Sequence, residues 1–284
     1  MMLRMFMLAL SMLSLAAAAS AQQAPPRPSA NRPPISQCQA VAQAVPGVTF
    51  ARFDPSGVQL AQASSKEEVQ IQYIGHSTFL ITSPEGVTIA TDYNGIYRPS
   101  MTPDVVTMNN AHSTHYTAHP DPAIKHVLHG WSDVPGEKAD HKIQVGDVYI
   151  RNVTSDIRNR WGGGGLLQKD GNSIFIFEVA GLCIGHLGHL HYELTESQYA
   201  EIGRLDVLMV PVDGGLTMGT DSMSRIVKRL RSALILPMHQ PHALEQFLVA
   251  FGPQFKIGYA SDPVIRVSMR NLPRQPQILV PQGM

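Results

Sequence analysis

Six times along this chain, an apolar strand pattern stops on a residue that can bind a metal or move a proton. The stops are Asp92, His112 with His115, Asp156, His186, Asp213 and His239. Histidines satisfied inside a core do not recur in this way. Two packed sheets whose loops gather along one edge would bring all six stops together, and α/β folds place their chemistry at strand ends of this kind. The densest stop is Val106–His119, VTMNNAHSTHYTAH, where His112, His115 and His119 follow an apolar run. A neutral imidazole is the commonest zinc ligand, and short spacings let two rings converge on one ion.

The strand signals start at Val69. Residues 69–74 alternate apolar and polar side chains with period two, Gly75-His76-Ser77 interrupts, and Thr78–Thr82 resumes the strand. Ser83-Pro84-Glu85-Gly86 is a turn, so Val87–Asp92 reads as the return strand of a hairpin. Lys142–Val153 reads as two strands around Gly146-Asp147, and Ser173–Ala180 with Leu182–Ile184 as another hairpin. Val207–Val212 and Ala233–Leu236 are buried strands. Thr195–Ile202, with Thr195 as N-cap, Asp221–Ala233 and Ala243–Phe251 read as helices. Lys256–Ala260 and Val264–Val267 are late strands. Gly162–Gly165 form a loop without the flanking pattern or lysine of a phosphate-binding loop.

Composition removes one class of function. Of 284 residues 44% are hydrophobic and the formal net charge is zero, so no basic surplus supports nucleic-acid binding. Residues 1–21 read as a signal peptide: Arg4, an apolar run Met5–Ala19, and the small-residue cleavage site Ala19-Ser20-Ala21. The mature protein is then periplasmic or secreted, with no membrane attachment after cleavage. Residues 22–65 open with a Pro-, Ala- and Gln-rich stretch and read as a flexible N-terminal segment, with a short helix possible over Gln37–Ala44. The folded domain is expected over 66–284. Cys38 and Cys183 are the only cysteines. They could pair in an oxidising compartment, but Cys183 lies in an apolar run, and we read both as unpaired thiols.

Taken together, several segments resemble the metallo-β-lactamase fold superfamily, in its branch of ascorbate-phosphate lactonase-like metal-dependent hydrolases. They are Tyr73–Ile81, Thr91-Asp92, the His112/His115 stretch, Gly185–His189, Leu205–Gly215 and Leu236–His239, in the family's order over Val69–Gln240. The resemblance implies an α/β fold, an αβ/βα four-layer sandwich with metal loops along one edge. It implies attack by metal-bound hydroxide on an ester, lactone, amide or phosphodiester of a small-molecule substrate.

The metal motif departs from that family. His-x-His-x-Asp-His becomes Asn110-Ala111-His112-Ser113-Thr114-His115. The family's mid-chain His falls at Ser155-Asp156, and its strand-end Gly-Asp reads as Gly185-His186. With two carboxylates missing, the anionic charge that holds two dications together is gone. One zinc is therefore expected rather than two, held by His112, His115, His186 and His239, or by three of them with an open position. Asp156 or Asp213 would orient water or act as general base. His76 is assigned to substrate binding, Asp92 to orienting an imidazole, and His189 and His191 to solvent or to a place behind the ligands. The alternative function is a catalytically degenerate relative that binds a metal or ligand without turnover. A third reading, thiol chemistry at Cys183, has little support. Substrate and oligomeric state are not legible.

Overall fold

A computed structural model of the chain describes residues 36–39, 67–110, 112–158, 167–239 and 243–284. The expected signal peptide, most of the 22–65 segment and Gly162–Gly165 lie outside the described residues. In chain order the elements are β1 (Val69–Gly75), β2 (Thr78–Thr82), β3 (Thr88–Ala90), β4 (Val105–Met108) and β5 (His126–His129). They continue with β6 (Lys142–Val145), β7 (Val148–Arg158), β8 (Leu167–Val179), β9 (Leu182–His186), α1 (Glu196–Ile202) and β10 (Val207–Pro211). Last come α2 (Thr220–Leu230), β11 (Leu234–Met238), α3 (Leu244–Val249), β12 (Lys256–Tyr259), β13 (Val264–Val267) and β14 (Gln277–Val280).

Two mixed sheets face each other. One runs β13-β1-β2-β3-β4-β5 and the other β12-β14-β11-β10-β9-β8-β7-β6. In the first, β3, β4 and β5 are parallel; in the second, β9, β10 and β11 are. Between the sheets, Ile71, Phe79, Ile81 and Ile89 pack against Phe175, Phe177, Ile184, Met209 and Leu236. On the far side of the eight-stranded sheet, the apolar faces of α1, α2 and α3 cover Ile176, Leu208, Val210 and Ile235. Over the six-stranded sheet, the described cover is loop: Tyr93, Tyr116, Ile124 and Trp131 pack on Val106 and Met108. The expected α/β sandwich is present, with its described helices on one side.

Three features differ from the sequence reading. The chain reverses at His76-Ser77, so β1 and β2 are antiparallel neighbours rather than one interrupted strand. Gly75 and His76 both take positive φ there, +146° and +52°. A Cβ on Gly75 would also lie 2.5 Å from Tyr97 Cδ1, so this turn needs glycine on both counts. Strand β14, which the sequence reading did not anticipate, lies between β11 and β12.

The third difference is a disulfide between Cys38 and Cys183, with Cα atoms 5.8 Å apart. The thiols read as unpaired are therefore joined. Cys183 points to the helix side of its sheet, where both cysteines are buried. Beside the bridge, Ser36 Oγ and the Gln37 amide donate to the Glu178 carboxylate at 2.5 and 2.7 Å, and the Arg204 amide donates to the Cys38 carbonyl at 2.7 Å. Residues 36–39, inside the stretch read as flexible, are thus bound to the domain.

Candidate metal centre

The carboxyl ends of the parallel strands converge on five imidazoles. β4 leads into His112 and His115, β9 into His189, and β11 directly into His239; the β1–β2 turn supplies His76. The rings touch: His115 and His189 have centroids 4.4 Å apart, His112 and His115 4.6 Å, and His76 stacks on His239 at 4.6 Å. One ring nitrogen from each of His76, His115 and His239 lies within 4.8 Å of the others, and the same holds for His112, His115 and His189. The turn carrying His76 is tied to the other sheet, because the His239 amide donates to the His76 carbonyl at 2.8 Å. His239 itself holds φ +80°, a strained conformation for a residue with a side chain.

Neighbouring groups decide which nitrogen each ring can offer. His115 Nδ1 lies 2.7 Å from Asp92 Oδ2 and His239 Nδ1 lies 2.7 Å from Asp213 Oδ2. A carboxylate only accepts, so each Nδ1 carries the proton and the lone pair lies on each Nε2; in His115 that lone pair accepts from His189 Nδ1–H at 2.9 Å. In His239 that Nε2 is buried with no hydrogen-bond partner among the described residues. An unsatisfied buried nitrogen is costly and rare. Carboxylates behind imidazoles in this way are how proteins fix metal-binding histidines. The donors behind them are fixed in turn. Asn109 Nδ2 donates to Asp92 Oδ1 at 2.7 Å, while Asn109 Oδ1 accepts from the Ser173 amide at 2.7 Å. Asp213 Oδ1 accepts from the Thr217 amide and hydroxyl at 2.8 and 3.0 Å and from the Gly215 amide at 3.1 Å.

The electrostatics favour neutral rings. Burial, then the neighbouring His239, pushes His76 down to about 4. Burial and the other imidazoles likewise hold His115 and His189 well below the ordinary histidine value. Burial pushes Asp213 up, but its bonds from His239, Thr217 and Gly215 outweigh that and keep it low, so it is ionised. Burial pushes the fully enclosed Asp92 up, against the opposing effects of His186 and Asn109.

Set against the sequence reading, His112, His115 and His239 come together, and His76, assigned there to substrate, joins His115 and His239. His186 does not join. Its Nε2 donates to the Ser77 carbonyl at 2.8 Å and its Nδ1 accepts from the Gly188 amide at 3.1 Å, so no lone pair remains for an ion. It is a strut between the sheets. His189, three residues on and set aside in the sequence reading, takes the place in the cluster, with Nδ1 2.9 Å from His115 Nε2. A signal for this was available: side chains alternate along a strand, so His186 shares a face with Leu182 and Ile184, which lie in the core between the sheets.

Gly188 allows the chain to turn His189 inward. It holds φ +61°, and a Cβ there would fall 2.4 Å from Asn109 Nδ2 and Asn172 Oδ1. The two carboxylates proposed as catalytic are placed differently from that expectation. Asp156 accepts from the Asp170 amide at 3.0 Å, within the β7–β8 hairpin. Asp213 has both oxygens engaged, one of them on His239.

Comparison with known proteins places this arrangement. The model of a beta-lactamase superfamily domain matches residues 70–239. Over 183 residues the chain is 22% identical to a UPF0173 metal-dependent hydrolase of Methanocorpusculum labreanum, covering 60% of this chain and 83% of that one. A solved structure from Thermotoga maritima, proposed to be a Zn-dependent hydrolase of the metallo-beta-lactamase superfamily, aligns with TM-score 0.52 at 27% identity, covering 75% of this chain and 97% of that one. A proposed metal-dependent hydrolase from Parabacteroides distasonis shares the fold with TM-score 0.52 at 13% identity, over 65% of this chain and 89% of that one.

Proposed function

Because the chain belongs to the beta-lactamase superfamily by its domain match over residues 70–239, we propose that it is a metal-dependent hydrolase working with one zinc ion. The observation that carries this reading is His239 Nε2, a buried nitrogen with no partner among the described residues, on a ring whose other nitrogen is held by Asp213. His76, His115 and His239 would hold the ion, which would take the place of His189 Nδ1–H as the partner of His115 Nε2. The all-nitrogen set suits zinc, and three protein ligands leave a position for water or substrate. A zinc ion bound there supplies Lewis acidity and makes water a nucleophile near neutral pH.

This chain's own residues do the rest. Asp92 and Asp213 orient His115 and His239 and keep their Nδ1 protons in place, so neither carboxylate is spare as a general base. Asn109 aligns Asp92, and the bonds from Gly215 and Thr217 align Asp213. One ion is favoured over two for two reasons. His115 belongs to both histidine sets but has a single lone pair, and neither set contains a carboxylate to bridge two dications.

The substrate class is a small ester, lactone, amide or phosphodiester; the neutral net charge gives no support for a polyanion. Export to the periplasm or outside the cell is supported by the disulfide, since such bonds persist in oxidising compartments.

The test is metal content and turnover of the untagged mature protein, compared with His239→Ala. The expected result is about one zinc per chain, ester or phosphodiester hydrolysis abolished by a chelator, and loss of both in the variant. Protein that takes up no zinc when it is supplied would refute the reading. Tight zinc binding with no turnover on a broad panel would favour a ligand-binding relative instead.

A further inference from the structure

Between the two histidine sets stands one hydroxyl. Thr114 Oγ1 lies 2.9 Å from His76 Nε2 and 2.8 Å from His112 Nδ1. Its position is fixed from behind, because Asn94 Nδ2 donates to the Thr114 carbonyl at 2.7 Å and the His115 amide closes the turn on the His112 carbonyl at 2.8 Å. His76 belongs to the set with His115 and His239, and His112 to the set with His115 and His189.

We infer that Thr114 is a positioning residue that sets the tautomers of His76 and His112, and so makes the two histidine sets alternatives, assigning the ion to His76, His115 and His239. The inference rests on the zinc reading above. A neutral imidazole has one N–H and one lone pair, and a hydroxyl has one proton to give and two lone pairs; among the described residues the two rings are the only partners of Thr114 Oγ1, so it donates to one and accepts from the other. For His76 to offer Nδ1 to an ion, its proton must sit on Nε2 and be donated to Thr114 Oγ1. The hydroxyl's own proton then goes to its second partner, His112 Nδ1. That places the His112 proton on Nε2, and His112 has no lone pair left for an ion. Reversing the chain of protons would enable His112 and disable His76. His239 decides the direction: its Nε2, without a partner among the described residues, belongs to the His76 set, so that set gains most from an ion.

The experiment uses the full mature chain with histidines labelled with nitrogen-15. Long-range proton–nitrogen spectra of the ion-free protein should show both His76 and His112 as Nε2–H tautomers. Zinc titration should then show Thr114→Val binding ~10–100-fold more weakly than wild type, the usual cost of losing a group behind a ligand. Thr114→Ser, which keeps the hydroxyl, should retain wild-type affinity. Finding His112 as the Nδ1–H tautomer, or wild-type zinc affinity in Thr114→Val, overturns the inference. If the wild-type chain takes no zinc, the zinc reading fails by that result alone, while the ion-free spectrum still decides whether Thr114 orders the two rings.

Discussion

Reducing the Cys38–Cys183 bridge should cost this protein a large share of its stability while leaving the proposed zinc site intact. The bond closes a stretch with a sequence separation of 145. Loop-closure entropy for a stretch of that length is about 17 cal/mol/K, or about 5 kcal/mol at 25 °C, removed from the unfolded state. Measured losses fall below such values when the reduced unfolded chain keeps residual structure or the bond strains the native fold. The native contacts beside the bridge should outlast it, since the Glu178 carboxylate would keep its bonds from Ser36 and Gln37 and Cys38 would keep its carbonyl bond from Arg204, so the loss comes from the unfolded state. The expected loss is therefore about 2–5 kcal/mol.

The assay is urea unfolding of oxidised and reduced wild-type protein at one pH, with Cys38→Ala/Cys183→Ala as a second reduced state. Zinc content should be unchanged on reduction. Cys183 faces the helices, whereas Leu182 and Ile184 face the sheet interior toward the metal side. A stability change below about 1 kcal/mol would refute the loop-closure argument, because even a 15-residue loop is worth ~3 kcal/mol on the same relation. Loss of zinc on reduction would refute the separation of the two faces.

Three further outcomes follow from the geometry. Asp213→Asn removes the carboxylate that holds the His239 Nδ1 proton, so zinc affinity should fall ~10–100-fold in a competition titration with a chromogenic chelator; unchanged affinity would mean His239 is not a ligand. His186→Ala should lower unfolding free energy by about 2–4 kcal/mol, through the cavity and the orphaned Gly188 amide, yet keep its zinc; loss of the ion with an intact fold would restore His186 to the ligand set. Gly75→Ala places a Cβ 2.5 Å from the Tyr97 ring at φ +146°, and should cost upwards of about 1 kcal/mol in thermal or urea unfolding; a neutral result would show that Tyr97 is free to move aside.

Much of the sandwich was legible because its strands are long enough to show a period and are separated by turn residues. The second half of β8 and all of β9 are continuous buried runs, and Ala180-Gly181 marks their hairpin with two positive φ values. β14 was not legible, because four residues after a proline carry no period of their own. Its place is set by β11 on one side and β12 on the other, contacts far away in sequence. The disulfide was hidden for the same reason: nothing near Cys38 says that it will meet the helix face of β9.

The site divides along the same line. Residue type and strand-end position pointed to His115, His239 and Asp213, because parallel strands deliver their carboxyl ends to one edge. Whether such a histidine can bind an ion depends on which of its nitrogens is already engaged, and those partners come from other strands. His239 and His186 make the contrast. Both close an apolar strand, and both are buried. His239 gives its Nδ1 proton to Asp213 and keeps a lone pair on Nε2. His186 spends Nε2 on the Ser77 carbonyl and Nδ1 on the Gly188 amide. A carboxylate behind a ring leaves its far nitrogen a lone pair to offer, and a carbonyl on one side with an amide on the other makes the ring a strut. That choice is written in the packing of two sheets and cannot be read from either strand alone.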